Sequence, residues 1–126
     1  MKIGSVVRST VALTITAILT SGCSLITRGD CVDIGVSGIQ VTVLDQRTRQ
    51  SPSGAIVTLT DGDYRETLIG RGGVYSGAIE RPGTYSITVE APGYARWTRD
   101  NVSVVRSGSC NYLKNVALTS DLQPIG

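Results

Sequence analysis

Histidine is absent from the 126 residues, and that omission narrows the available chemistry before any motif is considered. It removes the commonest general base, and with it Ser-His-Asp and Cys-His nucleophile arrangements and most catalytic zinc sites. "GVSG" at 35–38 and "GVYSG" at 73–77 miss the G-x-S-x-G spacing of a nucleophile elbow. "DGD" at 61–63 offers the carboxylates of Asp61 and Asp63 to calcium. It lacks the further oxygen ligands of a loop site, and Asp-Gly is a common hairpin turn, which is the preferred reading. "GRGG" at 70–73 has the composition of an anion-binding nest beside Arg71, although glycines in a hairpin need no ligand. Trp97, the single tryptophan, lies between Arg96 and Arg99 in "GYARWTRD". It suits either sugar stacking or peptide contact, or the edge of a core covered by arginine stems. No catalytic residue, metal or cofactor is expected, and the chain is not expected to be an enzyme.

The three cysteines are Cys23, Cys31 and Cys110. Lys2 and Arg8 precede the apolar run "VALTITAIL", which is far shorter than the roughly 20 residues that span a bilayer. This is the layout of a signal peptide. Small residues follow at Ser21 and Gly22, and then the Cys23 thiol. The stretch resembles a bacterial lipobox, which implies cleavage before Cys23 and a diacylglyceryl group on its sulfur. Residues 1–22 are then the leader and residues 23–37 the lipidated cysteine and its tether. Ser24 stands where aspartate would signal inner-membrane retention, so the expected location is the cell envelope, at the outer membrane. Acylation of Cys23 leaves Cys31 and Cys110 as an even pair in a compartment where disulfides persist, and they are expected to bond. Two thiols without histidine make a poor zinc cage.

Downstream of the leader the apolar period is two. "GIQVTVLD" sets Ile39, Val41 and Val43 against Gln40 and Thr42, "AIVTLTD" sets Ala55, Val57 and Leu59 against Thr58 and Thr60, and "GTYSITVEA" sets Tyr85, Ile87 and Val89 against Ser86, Thr88 and Glu90. Each run presents one face to a core and one to water. Turn signals at Asp61-Gly62, Gly70–Gly73, Pro82-Gly83, Pro92-Gly93 and Ser107–Ser109 fall at sandwich spacing. The pattern predicts one all-β domain, an antiparallel Greek-key sandwich of about seven strands. The later strands lie near "WTRD", "VSVV" and "NYLKNVALT", and residues 120–126 are expected to form a frayed tail. The formal charge of +2 resides in Lys2 and Arg8, so the mature side chains balance and capture of nucleic acid is not expected.

"VTVLDQRTRQSPSGAIVTL", "GRGGVYSGAI" and "RPGTYSITVEAPGY" resemble the carboxypeptidase regulatory-like domain. Its pattern runs strand, aspartate, turn, Gly-Ala strand, Gly-aromatic strand, and Pro-Gly-Thr-Tyr through to Gly-Tyr. Pro82, Gly83, Thr84 and Tyr85 followed by Ala91, Pro92, Gly93 and Tyr94 carry it most specifically. Arg49 stands where the family commonly has glycine. The resemblance covers residues 38–119 and implies a transthyretin-like sandwich with parallel first and last strands. A urate-pathway hydrolase shares that fold, but its activity depends on histidines and a Tyr-Arg-Gly-Ser run that this sequence lacks.

With every connection reversing direction, the loops at 46–54, 70–73 and 91–97 meet at the end opposite Cys31 and Cys110. They bring Arg47, Arg49, Arg71, Tyr94, Arg96 and Trp97 to one tip whose loops hold no acid, while Asp61 and Asp63 fall at the other end. The expected function is a non-catalytic lipoprotein, held to the membrane by its lipid, that binds a partner protein through this tip. A carbohydrate-binding module for cell-wall or surface glycan is the alternative.

Overall fold

The computed structural model describes residues 31–125. The leader and Cys23 lie outside the described residues. Ten strands follow in order: β1 (Ser37–Asp45), β2 (Ile56–Asp61), β3 (Tyr64–Thr67), β4 (Ile69–Arg71), β5 (Val74–Ile79), β6 (Gly83–Glu90), β7 (Trp97–Val104), β8 (Arg106–Ser107), β9 (Tyr112–Leu113) and β10 (Val116–Leu122). Two four-stranded sheets, ordered β10-β1-β5-β4 and β3-β2-β6-β7, form the sandwich, and β8-β9 is a small separate hairpin. All pairings are antiparallel except β1 with β10, in which Ile39 stands beside Val116 and Asp45 beside Leu122.

The period-two faces become the core. Ile39, Val41 and Val43 of β1 meet Val57 and Leu59 of β2, Tyr85, Ile87 and Val89 of β6, and Val102 and Val104 of β7, all buried. Each such aliphatic side chain contributes about 1.5–3 kcal/mol of burial. Two hairpins are set by local chemistry. Gly62, first of the two residues between Asp61 and Tyr64, has φ 61°, and Gly72 and Gly73, between Arg71 and Val74, have φ 61° and 85°. These are the left-handed conformations that two-residue hairpins demand. "DGD" and "GRGG" are thus turns of the scaffold, and Asp61 is engaged by Arg81 at 3.0 Å.

The strand inventory departs from the sequence pattern in three places. Residues 64–71, a single stretch between the turns at Asp61-Gly62 and Gly70–Gly73 in the sequence pattern, divide into β3 on one sheet and β4 on the other, with buried Leu68 between them donating its N–H to the Val57 carbonyl at 2.8 Å. "WTRD" and "VSVV" are one strand, because an extra residue on β7 is absorbed as a bulge where Asn101 adopts φ 58°. The expected tail is the third correction. Ser120 and Leu122 are fully buried in β10, Ala95 and Ile125 donate N–H bonds to the Gln123 and Gly93 carbonyls at 2.9 Å, and Pro124 bridges to Tyr94. Ordering follows because Leu122 supplies core surface and the next three residues find backbone partners.

A polar stitch joins the sheets: Glu66 Oε1 accepts from the Tyr64 hydroxyl at 2.6 Å and from the Ala78 N–H at 3.0 Å. The bond to Glu66 and burial push the Tyr64 pKa up to about 12. Cys31 and Cys110 are disulfide-bonded, and Cys110 lies in the connection between β8 and β9.

Candidate functional site

Strand register assigns the loops to the two ends of the sandwich. Thr42 stands beside Val74, Asp45 beside Leu122, Ile56 beside Glu90 and Val89 beside Trp97. The connections at 46–55, 72–73 and 91–96 therefore share one end. The Gly62-Asp63 turn, the β5–β6 connection and the β8–β9 hairpin occupy the other. The loop end is tied together by Val43 N–H donating to the Gly73 carbonyl at 2.9 Å and by the close approach of Gly73 to Ser51.

Asp45, buried at the end of β1, organises this surface. Its Oδ1 accepts from the N–H groups of Arg47 at 2.7 Å and Thr48 at 3.1 Å, an Asx-type turn, and its Oδ2 accepts from the Tyr94 hydroxyl at 2.6 Å. The Tyr94 bond, then the Thr48 and Arg47 amides, hold the Asp45 carboxyl below the usual aspartate range, and the same bond pushes Tyr94 up. A depressed carboxyl contributes stability above its unfolded pKa that is lost as pH falls through its folded one. The Tyr94 contribution has the opposite limb, present below the unfolded tyrosine pKa and lost as pH rises through the folded one. Tyr94→Phe is accordingly expected to lower stability at neutral pH by an amount that shrinks on acidification to about pH 2. Thermal melts across that range test it, and a deficit unchanged with pH would contradict it.

The six residues expected at the tip do lie at this end, in three different situations. Tyr94 is the clasp on Asp45 and half-buried. Trp97 is half-buried against the core beside Val89, with the Arg99 guanidinium 5.4 Å from its ring centroid. Arg49 pairs with Asp121 at 2.7 Å, and Arg96 places Nε at 3.2 Å and Nη2 at 2.9 Å from Glu90 Oε2. Acids at the strand ends thus compensate two arginines, although the loops themselves carry none. Arg47 and Arg71 are exposed, and among the described residues neither makes an ion pair.

Arg49 also has φ 62°, a conformation that favours glycine, and its N–H donates to the Asp45 carbonyl at 2.9 Å. This accounts for glycine being common at that position. Beside Arg96 and Trp97 a shallow groove is walled by Gln46, Ala95, Asp121 and Gln123, and Arg47 shares a second with Gln46, Gln123 and Pro124. Sequence inspection missed Gln46, Asp121 and Gln123. "LDQRT" does carry an Asx-turn signature that points to Asp45, but nothing local announces that residues 121–124 return to this end.

A search of curated proteins returned no match. The family model of the carboxypeptidase regulatory-like domain matches residues 38–119, from the second residue of β1 into β10. With that match over more than half of its length, and with the parallel β1–β10 pair closing a transthyretin-like sandwich, the chain belongs to the carboxypeptidase regulatory-like domain family.

Proposed function

We propose that this protein is a non-catalytic lipoprotein of the bacterial envelope, anchored through Cys23, whose loop end docks on an acidic surface of a partner protein. The observation that carries the reading is the pair Arg47 and Arg71, exposed and without ion pairs among the described residues. Arg47 projects from a loop fastened to the core through Asp45, and Arg71 ends β4 beside the Gly72-Gly73 turn, whose Gly73 carbonyl accepts from the Val43 N–H. Rigid supports spare the cost of ordering backbone on binding, and guanidinium groups present planar forks to carboxylates. The anchor is supported by the leader pattern and by cysteine count, since the Cys31–Cys110 bond leaves Cys23 for acylation.

Charge reversal at Arg47 and Arg71 together is expected to weaken recovery of the co-purifying partner by roughly tenfold or more, and raised salt should weaken wild-type binding. Asp63→Lys, at the opposite end, should leave recovery unchanged. Equal recovery by the wild type and the double variant would overturn the reading. The groove of Gln46, Trp97, Asp121 and Gln123 favours the glycan alternative, in which Gln46→Ala with Gln123→Ala abolishes binding to cell-wall fragments while the arginine reversals do not. Arg99 lies over the Trp97 ring and covers an aromatic face that a sugar platform needs, which supports the protein reading over the glycan one.

A further inference from the structure

At the end opposite the loop tip, three large aliphatic side chains face solvent: Ile34, Ile79 and Val105, 49%, 62% and 50% exposed. They surround one ion pair. Ile79 precedes Glu80, Val105 precedes Arg106, and Arg106 Nη1 lies 3.3 Å from Glu80 Oε1 while its Nη2 donates to the Glu80 carbonyl at 3.0 Å. Ile34 leads into Val36, whose N–H donates to Glu80 Oε2 at 2.7 Å and whose carbonyl accepts from the Glu80 N–H at 2.9 Å.

The exposure of Ile79 runs against the strand pattern. Ile39 and Val41, both core residues, stand beside Gly77 and Tyr75, so the alternation carried on from Tyr75 and Gly77 turns Ile79 inward. Instead Ala78 adopts φ 54° and Glu80 φ 53°, and the isoleucine between them is turned out. Two non-glycine residues in the left-handed region cost stability, and such strain persists where the presented group is used. Glu80 is compensated by Arg106 and Asp61 by Arg81, while Asp33 before Ile34 and Lys114, whose N–H donates to the Val105 carbonyl at 2.8 Å, are exposed and make no ion pair among the described residues. An apolar cluster around one compensated ion pair, with single charges of both signs at its rim, suits the apolar-to-headgroup boundary of a bilayer.

We propose that this end of the sandwich rests on the bilayer surface, with Ile34, Ile79 and Val105 in contact with lipid. The inference rests on the anchoring through Cys23 proposed above and adds an orientation to it. Only eight steps of chain separate Cys23 from Cys31, at most roughly 28 Å when fully extended, and β1 begins at this same end with Ile34 three residues before it. The cluster is too small to hold a protein to a membrane unaided. It orients a domain that acyl chains already hold, and so turns Arg47 and Arg71 away from the membrane.

Trp97, at the opposite end, is a built-in reference. The full acylated protein, reconstituted in phosphatidylcholine vesicles with brominated chains, is compared with Ile79→Trp in a Trp97→Phe background. Tryptophan at 79 is expected to shift to the blue and lose roughly half its emission, while Trp97 in the wild type is unquenched. Val105→Trp in the same background serves as a second variant with the same expectation. Unquenched emission at both 79 and 105 in protein that co-sediments with vesicles overturns the orientation and leaves the anchor standing. A dimer held by this face in detergent also overturns it. An intact mass without acyl chains, with no co-sedimentation, overturns the anchor and the orientation together.

Discussion

Tyr85→Ala is expected to destabilise the protein by roughly 3–5 kcal/mol, the cost of removing a fully packed aromatic ring. Tyr85 is 1% exposed, and its ring meets Tyr64 edge-on at 6.3 Å between centroids. Its hydroxyl adds a second function. The O–H donates to the Arg81 carbonyl at 2.6 Å and accepts from Arg81 Nη1 at 3.0 Å. A tyrosine bonded to backbone four residues upstream is the tyrosine corner of β-sandwiches, and it fixes the connection entering β6. The same guanidinium reaches Asp61 and lies 3.7 Å from the Tyr64 ring centroid. Tyr85→Phe keeps the ring and leaves that carbonyl without its donor, so a loss of about 1–2 kcal/mol is expected. Urea denaturation of both variants separates packing from the corner. Equal losses would assign the whole effect to the hydroxyl, and a neutral Tyr85→Phe would remove the corner from the account.

Removing the disulfide is the other large effect expected. The Cys31–Cys110 bond closes a loop of about 80 residues around the sandwich. Loop entropy alone stabilises by up to roughly 4–5 kcal/mol, with native strain subtracting from it. Cys31→Ser with Cys110→Ser is therefore expected to lower the melting temperature by up to roughly 16–40 °C, at 4–8 °C per kcal/mol for a domain of this size, with native strain reducing the drop. Reduced wild type should melt with the double variant. A melting temperature indifferent to reductant, with both thiols free in protein purified without reductant, would contradict the expectation.

How far the sequence reaches differs between fold and surface. Alternation in "GIQVTVLD" and "GTYSITVEA" names the core faces of β1 and β6 correctly, because a strand's two faces depend only on neighbours two residues apart. Glycines at 62, 72 and 73 mark two hairpins for an equally local reason, the positive φ of each turn. The motif from Pro82 to Tyr94 identifies the family. Cysteine parity, together with the acylation expected at Cys23, singles out Cys31 and Cys110, and the bond is present.

Whether an arginine at the tip is free depends instead on residues distant in sequence. Arg49 meets Asp121, Tyr94 meets Asp45, and residues 123–125 pair with residues 93–95. The parallel β1–β10 pairing, closing the first strand on the last, brings Asp121 and residues 123–125 to that end, and the stacking of the two sheets sets Tyr94 over Asp45. The exposure of Ile79 belongs with them, since a left-handed Ala78 overrides the period that the sequence displays. Local rules, which act over a few residues of chain, determined the strands and turns. Long-range pairing decided which charges are compensated and which apolar side chains face out, because those outcomes depend on groups that only the folded sheet order makes neighbours.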